Sequence, residues 1–183
     1  MEHLTTEALE AGLDEIRRSP ADEGRVELIV ARPAVGERDE LTEAELDVTL
    51  GLVGDTWSIR PSSTSEDGRA HPEMQLNMIN TRAIALISGE PARWVLAGDQ
   101  LYVDLDLSTS NLPPGTRLAL GSAVIEVTAQ PHRGCAKFAE RFGLDAARWV
   151  NSPAGRELNL RGINAKVVTP GTIRVGDVAR KVT

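Results

Sequence analysis

Thr116-Arg117-Leu118-Ala119-Leu120-Gly121-Ser122-Ala123-Val124-Ile125-Glu126-Val127-Thr128 sets two short apolar runs on either side of a glycine-serine pair. A two-residue connection that begins with glycine suits the tight turns joining antiparallel strands, so this stretch predicts a β-hairpin. The same punctuation recurs on both sides of it. Leu101 to Leu105 follows the turn Gly98-Asp99, and Val26, Leu28 and Val30 alternate with Glu27 and Ile29 until Pro33. Gln75 to Asn80 carries Leu76, Met78 and Ile79, and a second hairpin is expected from Asn164 to Thr169 and Thr172 to Val175 around Pro170-Gly171. Gly-Asp occurs at 54-55, 98-99 and 176-177, which reads as repeated turn chemistry.

Helical signals sit between the strands and are short. Leu9, Leu13 and Ile16 fall on one helical face before Ser19-Pro20. Asn80 or Thr81 can cap a helix through Ile84 and Leu86 to Gly89, and Pro91 suits the start of another turn carrying Trp94. Thr42 and Glu45 have capping-box spacing, which predicts one helical turn near Glu43 to Leu46. Further helices are expected from about Cys135 to Phe142, from Asp145 to Val150, and after the Ser152-Pro153 start. Gly51 to Asp55 reads as a sharp turn, and the polar stretch from Arg60 to Arg69 as a mobile loop. Many short strands with small helices at the corners predict a mainly β (α+β) fold, a closed or nearly closed β-barrel decorated with short helices. The division expected is an N-terminal helical extension over 1–25 and the barrel domain over 26–183.

The 183 residues can bury a core without disulfides. Cys135 is the lone cysteine, and with three histidines at 3, 71 and 132 a cysteine- or histidine-built zinc site is excluded. A formal charge of −7 argues against nucleic acid as a partner. The absence of a long apolar run and of a basic, greasy leader predicts a cytoplasmic protein with no membrane association. The charge is uneven: residues 1–60 hold fifteen acids against six bases, whereas Arg133, Lys137, Arg141, Arg148, Arg156 and Arg161 face three acids over 133–161. That basic run suits an anionic ligand such as a phosphate.

Cys135 lies at a glycine-preceded helix start in Pro131-His132-Arg133-Gly134-Cys135-Ala136-Lys137-Phe138. The helix terminus and the nearby His132, Arg133 and Lys137 all favour a reactive sulfur or soft metal ligand, against the plainer reading of a buried structural cysteine. His132 stands three residues from Cys135 in an extended stretch, so an ordinary surface histidine weighs against one that orients or deprotonates the thiol. Lys137 and Arg161 are the candidates for holding a phosphate. Arg60 and His71 flank the polar loop that would cap a barrel mouth, where solvated loop residues are the plainer reading. Asp55 reads as a turn former, and Trp57, Trp94 and Trp149 as core or rim packing.

The strings Ala97-Gly-Asp-Gln-Leu-Tyr-Val-Asp-Leu-Asp106, Leu112-Pro-Pro-Gly-Thr-Arg-Leu118, Pro131-His-Arg-Gly-Cys-Ala-Lys-Phe138, Asn151-Ser-Pro-Ala-Gly-Arg156, Leu160-Arg-Gly-Ile-Asn-Ala-Lys166 and Gly171-Thr-Ile-Arg-Val-Gly-Asp177 resemble the MOSC domain, the C-terminal domain type of molybdenum cofactor sulfurases. The resemblance spans roughly Val26 to Val182 and implies a barrel built around one family cysteine, which here is Cys135. It implies a sulfur carrier, or a protein that binds the molybdenum cofactor with Cys135 ligating the metal and Arg60, His132, Lys137 and Arg161 around it. It further implies pyridoxal phosphate on a partner cysteine desulfurase, since no aminotransferase-like portion is read here, or a molybdoenzyme as partner. A molybdenum-dependent oxidoreductase acting on N-hydroxylated compounds and a non-catalytic cofactor-binding module are the alternatives. The additional N-terminal β-barrel module of the amidoxime-reducing branch is not read in this sequence.

Overall fold

In the computed structural model, which describes residues 3–62, 65 and 67–182, eleven strands and six α-helices are formed. The strands are β1 (Gly24–Ala31), β2 (Asp39–Leu41), β3 (Glu43–Asp47), β4 (Gly51–Leu52), β5 (Leu76–Asn80), β6 (Leu101–Asp104), β7 (Arg117–Leu120), β8 (Ala123–Val127), β9 (Ile163–Thr169), β10 (Gly171–Arg174) and β11 (Val178–Val182). The helices are α1 (Thr6–Ala11), α2 (Leu13–Arg17), α3 (Thr81–Ser88), α4 (Ala136–Phe142), α5 (Leu144–Val150) and α6 (Pro153–Glu157). Short 3-10 turns cover Trp57–Ile59, Pro72–Met74 and Pro91–Ala97. The expectation of a mobile loop over Arg60 to Arg69 falls partly on residues 63, 64 and 66, which lie outside the described residues.

The hairpin at Gly121-Ser122 forms as β7 and β8, with Leu120 opposite Ala123. From it the sheet runs β11-β7-β8-β9-β5-β6-β1, and β11 pairs back onto β1 through Gly24–Ala179 and Arg25–Val178. Seven strands therefore close into a mixed barrel in which β5 and β6 are the parallel pair. β2 adds to the outer edge of β1, and β10, β3 and β4 form a small second sheet. Closure leaves the ring with no unpaired edge, which is the physical reward for many short strands.

Alternation along the strands divides the apolar residues between two cores. Leu101 and Val103 of β6, Met78 of β5 and Ile29 of β1 fill the barrel. Their neighbours Tyr102, Ile79 and Val30 point outward into a second cluster under the helices, with Leu9, Ile84, Phe138 and Trp149. Leu9, Leu13 and Ile16 are all buried there, but Gly12 splits the expected single helix into α1 and α2. Asn80 caps α3 by accepting from the Arg82 and Ala83 amides, and Gly89 ends it in the left-handed region at φ 74°. Trp94 stacks on Tyr102 at 6.4 Å between centroids.

Two local expectations are corrected. Residues Glu43 to Leu46 form strand β3, not a helical turn. Ala44 and Leu46 are buried while Glu43 and Glu45 are exposed, a period of two, and pairing with β10 sets Ala44 opposite Ile173. Nor do β9 and β10 form a hairpin: β9 lies between β8 and β5, whereas β10 joins the other sheet. Pro170 removes an amide at the crossover, and Gly171 passes so close to the β7-β8 turn that a Cβ there would lie 2.6 Å from Ser122.

Candidate functional site

A cavity of about 360 Å³ opens between the end of β1, β5, the turn before β6 and helix α4. Cys135, Lys137, His132, Arg60 and Arg161 all line it, so the fold gathers in one place residues scattered over a hundred positions. Arg32, Arg38 and Arg141 line it as well. A second lobe of about 290 Å³ shares Arg32, Arg60 and Asn77 with it and extends to Trp57, His71 and Met74.

Cys135 caps α4 in an extended conformation and is exposed; its side chain makes no capping hydrogen bond, so the sulfur is free for other work. The preceding turn is held rigidly. Gly134 donates to Oδ1 of Asn151 at 3.1 Å and accepts from its Nδ2 at 2.9 Å. A Cβ on Gly134 would lie 2.8 Å from Cγ2 of Val150, so only glycine lets this segment press against α5.

Beneath the cavity lie two buried ion pairs built on the Gly-Asp turns. Nε and Nη2 of Arg32 grip the Asp55 carboxylate at 2.7 and 2.9 Å, while its Nη1 donates to Oδ1 of Asn77 and to the Gly98 carbonyl. Asp55 also accepts from the Arg32 and Trp57 amides, which makes it a buried anchor as well as a turn residue. Nη1 of Arg161 meets Oδ2 of the fully buried Asp99 at 2.7 Å, its Nη2 donates to the Ala97 carbonyl, and its guanidinium lies 4.9 Å over the Phe138 ring. Burial pushes the Asp99 carboxyl above its ordinary range, and Arg161 opposes that shift. The third Gly-Asp stays a plain turn, with Asp177 accepting from the Arg174 amide.

His132 is not the surface histidine expected. Its side chain is 13% exposed, and its buried Nδ1 lies 3.4 Å from Oδ1 of Asp99, although the alignment falls short of a hydrogen bond. Burial first, then Arg161 and Arg32, push the imidazole well below its ordinary value, so it is neutral at pH 7. The sequence misled because one neighbouring residue, Asp99, lies 33 positions away in the chain and reads as turn chemistry.

The other cations carry the site's charge. Nη1 of Arg141 donates to the Leu96 carbonyl and Nη2 of Arg60 to Oγ1 of Thr56. Among the described residues, Arg38, Arg60, Lys137 and Arg141 have no carboxylate at ion-pair distance, and Nε of Arg38 is buried with no hydrogen-bond partner. Burial, then Arg141, Arg32 and Arg60, push the Arg38 guanidinium below its ordinary value; burial, then Arg32, does the same to Arg60. Such mutual repulsion is relieved by an anion. Among the described residues no group of three or more His, Cys, Asp or Glu could hold a metal ion, so a metal here would take Sγ of Cys135 and find its remaining ligands on a bound molecule.

Arg32, Arg38 and Asp99 are not legible as site residues in the sequence, and Arg141 is legible only as one of the basic run over 133–161. The one signal that could have found two of the ion-pair partners is the recurrence of Gly-Asp, where Gly98 at φ 85° takes a conformation that an L side chain resists and offers its carbonyl to Nη1 of Arg32.

No helix among the described residues is long and apolar enough to cross a membrane. The fold is that of several solved structures. The YuaD protein from Bacillus subtilis superposes with a TM-score of 0.60 at 18% identity, over 86% of this chain and 96% of that one. YiiM from Escherichia coli gives 0.56 at 22% identity, over 87% and 70%. YiiM from Geobacillus stearothermophilus gives 0.53 at 14% identity, over 87% and 75%. No curated protein matches the sequence. The family model of the MOSC domain matches residues 66–180, the stretch that supplies β5 to β10, Cys135 and the Asp99–Arg161 pair, and the chain belongs to the MOSC domain family.

Proposed function

We propose that this chain binds the molybdenum cofactor, with Sγ of Cys135 as the ligand the protein gives to the metal. The observation that carries the reading is the pairing of an exposed thiol with four cations that, among the described residues, lack carboxylate partners around one cavity. A sulfur ligand suits a soft metal centre, and Arg38, Arg60, Lys137 and Arg141 suit the phosphate and polar edge of the pterin. Among the described residues Nε of Arg38 and Nε of Arg161 are buried donors without partners, so the protein holds hydrogen-bonding capacity in reserve on the cavity wall. When bound, the group supplies two-electron oxidation and reduction chemistry. The protein's part is to orient it through the guanidinium groups, to keep His132 neutral at the wall, and to hold Cys135 on the rigid Gly134–Asn151 clasp.

The exposure of Cys135 favours a second reading, sulfur carriage. There Cys135 would attack the outer sulfur of a persulfide on a partner desulfurase that uses pyridoxal phosphate. The sulfur–sulfur bond breaks, the partner leaves as a thiolate, and Cys135 keeps the sulfane sulfur for an acceptor such as a molybdoenzyme.

Isolation from a molybdenum-replete host, followed by metal and pterin analysis and by intact mass before and after mild reduction, separates the two. Stoichiometric molybdenum and pterin that vanish in Cys135→Ser support the first; a reducible sulfur adduct with little molybdenum supports the second. Retention of both cofactor and sulfur by Cys135→Ser removes both.

A further inference from the structure

The basic run over 133–161 divides in space. Lys137, Arg141 and Arg161 face the cysteine cavity, and Arg148 lies 3.9 Å from Asp145. Arg133 and Arg156 instead line a separate cavity of about 230 Å³, which among the described residues shares only His132 with the cysteine cavity. Within the Pro131–Cys135 stretch Arg133 lines the side cavity and Cys135 the cysteine cavity, with His132 on the wall of both.

The walls of this side cavity are made of core residues. Leu112, Val127, Val150 and Ile163 are each at most 4% exposed and still line it, so it is a recess into the fold, not a dent between surface side chains. At the rim, Arg133 and Arg156 are exposed, and among the described residues neither has a carboxylate at ion-pair distance. An apolar body entering the recess releases water from apolar walls, while an anionic group at its end meets both guanidinium groups. The volume of about 230 Å³ lies below the roughly 300–1,000 Å³ of ordinary small-molecule sites and so favours a compact ligand.

We propose that the side cavity is a binding site for a small amphipathic anion, a short apolar chain or ring ending in one carboxylate or phosphate group held by Arg133 and Arg156. The site is independent of the cofactor reading, because its residues, His132 excepted, are not those of the cysteine cavity.

The test is a titration of the full-length, uniformly ¹⁵N-labelled chain, read at the amides of Gly155 and Gly162, which line the side cavity. Sodium hexanoate and hexyl phosphate are the probes and hexanol is the uncharged control. Saturable shifts at both glycines, with hexanol weaker by about tenfold or more, are expected; the tighter anion identifies the head group. Arg133→Gln combined with Arg156→Gln weakens the anions about tenfold and leaves hexanol unchanged. Thr109→Trp, at the mouth, abolishes the response while the rest of the spectrum keeps its native dispersion. Cys135→Ser leaves hexanoate binding intact, which separates this site from the cofactor reading. Shifts that never saturate, equal responses to hexanoate and hexanol, or unchanged affinity in the double arginine variant each overturn the proposal.

Discussion

Replacing Asp99 by alanine tests the frame on which the cysteine cavity is built. The carboxylate is fully buried and meets Arg161, whose side chain is 7% exposed, at 2.7 Å. Asp99→Ala strands that guanidinium: it keeps the Ala97 carbonyl and the Phe138 ring but loses its counter-ion, with Arg32 adding to the local positive potential. Leaving one member of a buried ion pair unpaired costs about 3–5 kcal/mol. For a chain of this size that corresponds to a fall in Tm of roughly 6–20 °C. Arg161→Met is milder, since the orphaned Asp99 can take up a proton and methionine can still pack on Phe138. The double variant removes both charges and is therefore expected to cost at least about 1 kcal/mol less than the two single costs together. Urea unfolding of the four proteins measures this directly. Single costs below about 1 kcal/mol, or additivity within about 0.5 kcal/mol, would show that the pair is not the uncompensated buried interaction described.

How much of this was legible depended on how local the cause was. β7 and β8 announce themselves because their partner lies across two residues and the turn residues are diagnostic. α3 was legible from both ends, since Asn80 and Gly89 do the capping with their own side chain and backbone. β3 was misread because its partner β10 lies more than 120 residues away, and Thr42–Glu45 offered a local helical alternative that long-range pairing overrode. The site divides in the same way. Cys135 and Lys137 sit on one helix start, so their proximity was written in the chain. Arg32 and Arg38 come from a loop after β1, and nothing in their own surroundings distinguishes them from surface arginines. Only the closed barrel brings that loop against α4 and the Gly98-Asp99 turn.

The charge arrangement sets the remaining expectations. Arg38→Gln relieves repulsion among half-buried cations and, with solvent screening most of it, raises the stability of the unliganded protein by at most about 0.5 kcal/mol, while weakening pyrophosphate binding about tenfold through loss of a charge-assisted donor; calorimetry on the same sample reads both, and a variant that binds as tightly as the parent contradicts the cavity's assignment to anions. Gly121→Ala sets a Cβ 2.2 Å from the Thr172 carbonyl at φ 54° and is expected to destabilise by about 2–4 kcal/mol in chemical denaturation; a change below about 0.5 kcal/mol shows that β10 does not press on the turn as described. The last concerns pH. His132 titrates near 6.5 in the unfolded chain and well below that in the folded one, with Asp99, Arg161 and Arg32 facing it, so on acidification the unfolded state takes up a proton the native state refuses. Its stabilising contribution is complete above pH 6.5 and is lost as pH falls toward the folded value, at up to about 1.4 kcal/mol per pH unit. Asp99 acts in the opposite sense, because its raised folded value makes the native state the better proton acceptor above 3.8. The histidine is therefore read from pH 6.5 downward as the difference between the parent and His132→Gln, in which the carboxylate is retained. The variant's stability should fall less steeply with acid than the parent's, and parallel slopes would mean that the imidazole takes up its proton as readily in the folded chain as in the unfolded one.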